Sequence, residues 1–424
     1  MALTMTLVPI VLLFLGFPIF VILLATAAIA IIIFYSIPLT VLHQVMFGSL
    51  DSAALLAVPF FIFAGEIMAA GGISGRLVAW AKSLFGSSKA SLPITTVATC
   101  VVFGAISGSS AATVAAVGRI TFRPMLDAGY DRRFATGLLT ASGLIDNMIP
   151  PSIAMILYAI VAEQSLVRIF TAGFVPGLLF ALAFVAYVLL KSWGSPIDPP
   201  ERFSWTRLGR ETLNAAWALG MPVIILGGIY TGVLSANEAG GAACVYAILV
   251  AMFVHRDVDV TQLLDLARRS AYVTSQLMVI VASAGVFSWL LTTSGAAPRL
   301  TDVFAALDLS SSMLLFIINV FLLLVGIFFD PAPAILLLTP ILLPVVKAAG
   351  IDLIHFGIVM TANLSIGCFT PPFGINIFVA QAVFKQPVSV IYRGVMPFIW
   401  LSIAVLAVIT YVPELSLFLT RLHD

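Results

Sequence analysis

The sequence predicts an all-α polytopic membrane protein made of two inverted repeats, each with a re-entrant helical hairpin and a broken helix. Three observations carry that reading. The 424 residues are 61% hydrophobic and 9% charged, with a mean hydropathy of +1.15, whereas a soluble domain carries about 25% charged residues. The apolar runs are continuous, which excludes the alternating strands of a membrane β-barrel. Glycines and prolines recur at a constant offset of 221 residues: Gly129 on Gly350, Pro150-Pro151 on Pro371-Pro372, Gly173 on Gly394 and Pro176 on Pro397. The third observation is charge. The 76–133 region holds seven basic residues, and its counterpart 299–354 holds only Arg299 and Lys347.

Taken in order, residues 1–51 form an N-terminal scaffold. Its apolar stretch Leu7–Phe34 exceeds the ~20 residues of one span, and Gly16 and Pro18 are candidate breaks. The stretch is too long and too apolar for a cleavable signal. Pro38–Asp51 reads as a loop. The first repeat covers 52–191: a span at Ala53–Ala70 stopped by Gly71-Gly72, a surface arm at Ile73–Phe85, a hairpin over 91–126, a helix over 134–164 broken at Pro150-Pro151, and a span at Ile169–Leu190. Residues 192–269 supply a polar loop ending near Arg210, two scaffold spans near Leu213–Tyr230 and Ala239–Val254, and a charged loop at Arg256–Arg269. The second repeat covers 270–414: a span at Ala271–Leu291, an arm at Pro298–Leu307, a hairpin over 312–348, a helix over 355–385 broken at Thr370-Pro371-Pro372, and a closing span at Val395–Val412. Residues 415–424 read as a tail.

Basic residues mark cytoplasmic segments. The first hairpin therefore enters from the cytoplasmic side and the second from the opposite side. Alternation along the chain puts 16 of the 20 Lys and Arg inside. Trp80, Trp193, Trp205 and Trp400 fit interface anchors, and Arg119 and Arg123 snorkel to the cytoplasmic surface.

Exposed carbonyls and hydroxyls are tolerated at membrane depth only where they line a cavity or bind something. Four stretches meet that description: Ser107, Gly108, Ser109, Ser110 and Thr113 at the first tip; Asp146, Asn147 and the backbone before Pro150 at the first break; Asp330 at the second tip; and Thr370, Gly374 and Asn376 at the second break. Small residues alone also serve close helix packing; the paired Pro-Pro breaks favour a binding site. Intramembrane carboxylates such as Asp146 and Asp330 are costly and functional by default. Hydroxyls, freed carbonyls and a carboxylate suit sodium, a hard cation, while half-helix N-termini face an anionic solute. The sodium set expected from these residues is Ser107, Ser109, Asp330 and Thr370. Asn319 and Asn363 read as interhelical hydrogen bonders. Cys100, Cys244 and Cys368 lack metal-ligand spacing and read as small buried hydrophobes. No HExxH occurs, and nothing pairs Asp146 with Asp330 as a catalytic dyad, so an intramembrane enzyme is a distant alternative, as is a channel. The nearer alternative is a stand-alone ion-coupled anion transporter of inverted-repeat design.

FGAISGSSAATVAAVG, IPPSIAMILYA, GIYTGVLSANEAG, FFDPAPAILLLTPILLP and HFGIVMTANLSIGCFTPPFGINIFVA resemble the large membrane subunit of TRAP (tripartite ATP-independent periplasmic) transporters, over essentially the whole chain. The resemblance implies sodium-coupled uptake of an organic acid (a dicarboxylate, keto or hydroxy acid, or sugar acid) across a bacterial inner membrane. It implies an elevator mechanism with sodium as coupling ion and no other cofactor. It also implies two partners, a small four-helix membrane subunit and a soluble periplasmic binding protein. Ser107, Ser109 and Asp330 occupy positions tied to ion or solute binding in that family. Three residues depart from its pattern: many members have Asp where Thr113 stands, and Gly with a small residue or Pro where Asp146-Asn147 stand.

Overall fold

Glycines and prolines punctuate an otherwise apolar chain, and several helix ends fall at them, where glycine takes a left-handed turn or proline removes a donor. The computed structural model describes residues 7–9, 11–13, 15–35, 37–88, 90–193, 197, 202–295 and 309–421, and every regular element among them is helical. The N-terminal apolar stretch breaks at Gly16 (φ +78°) and Pro18, after which α1 runs Ile19–Phe34. The expected loop at 38–51 is instead a helix, α2 (Thr40–Leu50). It buries none of its own residues and lies along a later helix, with Ser49 filling the space a side chain at Gly285 would take. Tertiary contact holds this helix, and no cap or periodicity announces it.

A 3₁₀ turn at Ala53–Leu56 leads into α3 (Ala57–Ala70), and Gly72 (φ +64°) turns the chain into the arm, α4 (Ile73–Phe85). One side of α4 buries Ile73, Leu77, Val78 and Ala81. Arg76 pairs with Asp257 at 2.8 Å on a partly exposed surface, where such a bridge contributes about 1 kcal/mol at most. The first hairpin consists of α5 (Ser91–Ser107) and α6 (Ser110–Asp127), packed on each other. The broken helix consists of α7 (Arg132–Met148) and α8 (Ile153–Val161), bent by 40° at Pro150-Pro151. A 27-residue span, α9 (Leu166–Ser192), follows.

α10 (Trp205–Pro222) continues through a π turn to Tyr230, and α11 (Ala236–Leu249) continues likewise to Val254. Trp205–Arg210 is thus helical rather than loop. The charged loop expected at 256–269 is corrected more fully. α12 (Val260–Thr293) starts on a capping box in which Asp259 and Gln262 bond each other's backbone N–H. Its 34 residues extend about 51 Å, against ~30 Å of hydrocarbon, so its charged turns project beyond the membrane.

The second half continues with α13 (Ser311–Phe328), α14 (Pro331–Ala348), α15 (Leu353–Gly367), α16 (Ile375–Phe384) and α17 (Val388–Tyr411). Ser311 Oγ donates to Ala349 O at 2.8 Å, so α13 and α14 return to the same end as a hairpin. The expected tail is a helix, α18 (Glu414–Arg421), which buries Leu417 against the α9 side of the bundle. The arm expected at 298–307 lies outside the described residues. Among the described residues eight helices are long and apolar enough to cross a membrane, or nine counting α7–α8 as one span.

Two packing features position the site. α1 meets α12 through a small separate cluster of Ala27, Ala30, Ile31, Val286 and Leu290, while one large core unites the hairpins and broken helices. Within that core the breaks exchange partners. α8 packs on α14 of the second hairpin, and α16 packs on α6 of the first. Phe384 stacks on Phe122 with ring centroids 4.6 Å apart.

Candidate functional site

A proline has no N–H, so a helix entering Pro150-Pro151 leaves the carbonyls four residues earlier without their helical donors. Those carbonyls belong to Asp146 and Asn147. Neither accepts a hydrogen bond among the described residues. The second break differs. Asn376 N–H donates to Cys368 O at 2.9 Å, and Thr370 N–H to Gly367 O at 3.0 Å. The second break thus closes its own carbonyls, and the first holds them open.

The first tip faces this break. Ser107 ends α5, Gly108 takes the left-handed conformation (φ +63°), and Ser109 starts α6 in extended backbone. A Cβ at Gly108 would meet Pro151 O at 2.7 Å, so glycine is what lets tip and break touch. Thr113 Oγ1 donates to Asp146 Oδ1 at 2.9 Å, with both residues fully buried. The other carboxylate oxygen of Asp146 has no hydrogen-bond partner. Ser110 Oγ donates to Asn376 Oδ1 at 3.0 Å, and Asn376 Nδ2 reaches Thr140 O at 3.4 Å. Asn147 Nδ2 donates to Ser365 Oγ at 3.0 Å. One centre therefore joins the first tip, both broken helices and, through Asn376, the first turn of α16. Burial of this much polarity in an apolar core is costly unless it is bonded or holds a ligand.

Of the residues singled out in the sequence, Ser110, Thr113, Asp146, Asn147 and Asn376 meet in this network. Among the described residues the one side-chain hydrogen bond of Ser107 and Ser109 is to each other, with Ser107 Oγ 3.5 Å from Ser109 O, while the Ser107 backbone packs on Gly65 of α3. Thr370 Oγ1 bonds back to Ile366 O, and Gly374 N–H to Thr370 O. Asp330 caps α14 through Ala332 N–H at 3.4 Å and is exposed. No hydrogen bond joins Asp330 or Thr370 to Ser107 or Ser109 among the described residues. Cys368, buried at the second break, joins the network through its carbonyl, which accepts the N–H of Asn376, the side-chain partner of Ser110. Sequence reasoning had missed Cys368 and Ser365 as members of the site. A signal existed for Cys368, because the 221-residue offset places it on Asn147. The asparagines expected to bond between helices do so: Asn363 Nδ2 donates to Asn319 Oδ1 at 2.6 Å, and Asn319 Nδ2 to Thr410 Oγ1 at 3.0 Å.

Many spans, two interlocked hairpins and broken helices around a buried polar centre define a membrane transporter. The chain belongs to the family of the DctM component of the tripartite ATP-independent periplasmic (TRAP) transporter, whose model matches residues 6–415. It is 37% identical to the ectoine/5-hydroxyectoine TRAP transporter large permease protein of Ruegeria pomeroyi, covering 100% of this chain and 99% of that one. It is 38% identical to the C4-dicarboxylate TRAP transporter large permease protein of Pseudomonas aeruginosa, covering 88% and 87%. It is also 38% identical to the isethionate TRAP transporter permease protein of Oleidesulfovibrio alaskensis, covering 90% of this chain and spanning 60% of that longer protein. The solved YdaH transporter of Alcanivorax borkumensis shares the fold at a TM-score of 0.62 and 13% identity, over 95% of this chain and 97% of that one. The relatives are transporter permeases, and the chain is a permease subunit rather than an enzyme.

Proposed function

We propose that the chain is the sodium-coupled, solute-translocating subunit of a bacterial inner-membrane TRAP transporter. It takes an organic acid from a soluble periplasmic binding protein and works beside a small four-helix membrane subunit. The observation that carries this reading is the open centre at the first break. Two carbonyls without donors, a buried carboxylate with one free oxygen, and the Thr113 and Ser110 hydroxyls are an all-oxygen donor set, the preference of a hard cation. Asp330, exposed at the second tip, supplies a further carboxylate on the solute-facing side.

An elevator mechanism by two inverted repeats is part of the same reading. Its support is the helix order: α14 starts and ends 221 residues after α6, and the breaks exchange partners between hairpins. In this arrangement the hairpins, broken helices, α9 and α17 move as a unit against a scaffold that includes α1–α4 and α10–α12. The solute class rests on relatives that carry dissimilar cargo, including C4-dicarboxylate, sialic acid and 2,3-diketo-L-gulonate, at 35–38% identity. Such even similarity leaves selection of the individual solute to the binding protein.

The test is uptake into proteoliposomes holding both membrane subunits. An inward sodium gradient with the cognate binding protein present drives accumulation of labelled organic acid. Accumulation without a sodium gradient rejects sodium coupling. Accumulation by this subunit alone, with no binding protein, replaces the reading with a stand-alone anion transporter.

A further inference from the structure

A second polar cavity lies away from this centre, where the starts of α7 and α17 meet the end of α9. It has a volume of about 240 Å³. Arg133, Lys191 and Arg393 reach it from three different helices, and Tyr187 and Phe398 form part of its floor, with ring centroids 5.1 Å apart. Among the described residues no carboxylate lies within ion-pair distance of any of the three cations. The one acid in the cavity wall, Asp131, is already engaged as the cap of α7, accepting from the N–H groups of Arg133 and Phe134 at 2.9 and 3.0 Å. The cap fixes the α7 N-terminus at the cavity, and that end of a helix favours negative charge.

Close approach of α7 and α17 at Gly137 and Gly394 builds the cavity. A Cβ on either glycine would run into the other helix. The helices therefore cross in contact one turn in from the surface.

We infer that this cavity seats the headgroup of an anionic phospholipid. The shared chemistry is a phosphate monoanion or dianion held by three converging cations. The volume falls below the ~300–1,000 Å³ of ordinary small-molecule sites, so it suits a headgroup rather than a whole solute. Five neighbouring exposed side chains identify the source as lipid. α9 ends on exposed Leu189, Leu190 and Trp193, and α17 exposes Met396 and Trp400, so apolar surface for acyl chains adjoins both helix ends. Aromatic and aliphatic side chains around basic residues at a span's end mark the membrane–water boundary. Basic pockets between transmembrane helices there are known to take anionic headgroups.

The test compares lipid retention by the purified full chain, read by native mass spectrometry and thermal unfolding after detergent delipidation. Phosphatidylglycerol, cardiolipin, neutral phosphatidylcholine and inorganic phosphate are the probes. The wild-type chain retains the anionic lipids over phosphatidylcholine and unfolds at a higher temperature with them. The R133Q/K191Q/R393Q variant retains them on the order of 100-fold less, as expected for three cations near the surface. An R133K/R393K variant, which keeps the charge, retains them like wild type. Equal retention by the glutamine variant overturns the proposal. Stabilisation by inorganic phosphate equal to that by lipid also overturns it, because the occupant is then a soluble phosphate compound. Should the triple variant fail to fold, Lys191→Gln alone is titrated with phosphatidylglycerol, and unchanged affinity overturns the assignment. Sodium-driven uptake is not the readout, so failure here leaves the transport reading standing, and failure of transport leaves this one standing.

Discussion

Thr113 at the first tip and Asp146 at the first break touch. The Thr113 hydroxyl donates to the Asp146 carboxylate at 2.9 Å, so a hydroxyl and a carboxylate share one buried contact. Gly104 makes room for it, because a Cβ there would lie 2.9 Å from Asp146 Cα. If the pair holds the coupling ion, Asp146→Asn weakens apparent sodium affinity in uptake assays by roughly 10- to 100-fold, the loss of a charged ligand at about 1.5–3 kcal/mol. The exchange Thr113→Asp with Asp146→Gly restores most of it. Unchanged sodium dependence in Asp146→Asn removes the carboxylate from the ion site. Asp330 stands differently, exposed and bonded only to its own helix start. Asp330→Ala inserts normally and unfolds only slightly earlier, since a lost cap costs about 1 kcal/mol, yet sodium-driven uptake is abolished. Wild-type uptake by that variant takes Asp330 out of the mechanism.

At the scale of elements, legibility followed chemistry. Proline fixes φ and lacks an N–H, and glycine alone readily takes the left-handed turn, so the hairpin tips, both breaks and the bounds of α4 are readable from residues alone: Ile73–Phe85 is arm in sequence and helix in structure. Elements held by contact were not readable. α2 and α18 are stabilised by α12 and α9, and the first turns of α12 carry enough charge to pass for loop. Candidate-site residues followed the same division. Ser110, Thr113, Asp146 and Asn376 stand out as polar groups in apolar runs, whereas Cys368 carries no signal of its own until the fold puts its carbonyl under the N–H of Asn376. Helix crossings are tested by glycine. Gly394→Ala would push a methyl into Arg133 O of α7, and overpacking of this kind costs about 1–3 kcal/mol. Its unfolding temperature in detergent falls. Gly75→Ala on α4 meets nothing within 4 Å and gains about 0.5–1 kcal/mol from helix propensity. Equal unfolding temperatures for the two variants would show that the α7–α17 crossing is loose.

For the whole molecule, the question is whether the two hairpins enter from opposite faces. The charge count says that they do, and the packing gives it a physical setting. Arg76 of the arm meets Asp257 after α11, while Arg133, Lys191 and Arg393 converge on one cavity, so basic ends of distant segments gather in shared places. Cytoplasmic retention of basic residues fixes the orientation of such ends. Single cysteines decide the matter. Ser87 follows the arm before the first hairpin, Ser310 precedes the second, and both are exposed. The native Cys100, Cys244 and Cys368 are all free and buried, so they give little background with an impermeant maleimide. In right-side-out vesicles Ser310→Cys labels and Ser87→Cys does not; in inverted vesicles the pattern reverses. Labelling of both from one face would make the repeats parallel. The breaks would then meet the two membrane faces alike, and an elevator with mirrored inner and outer gates would lose its structural basis.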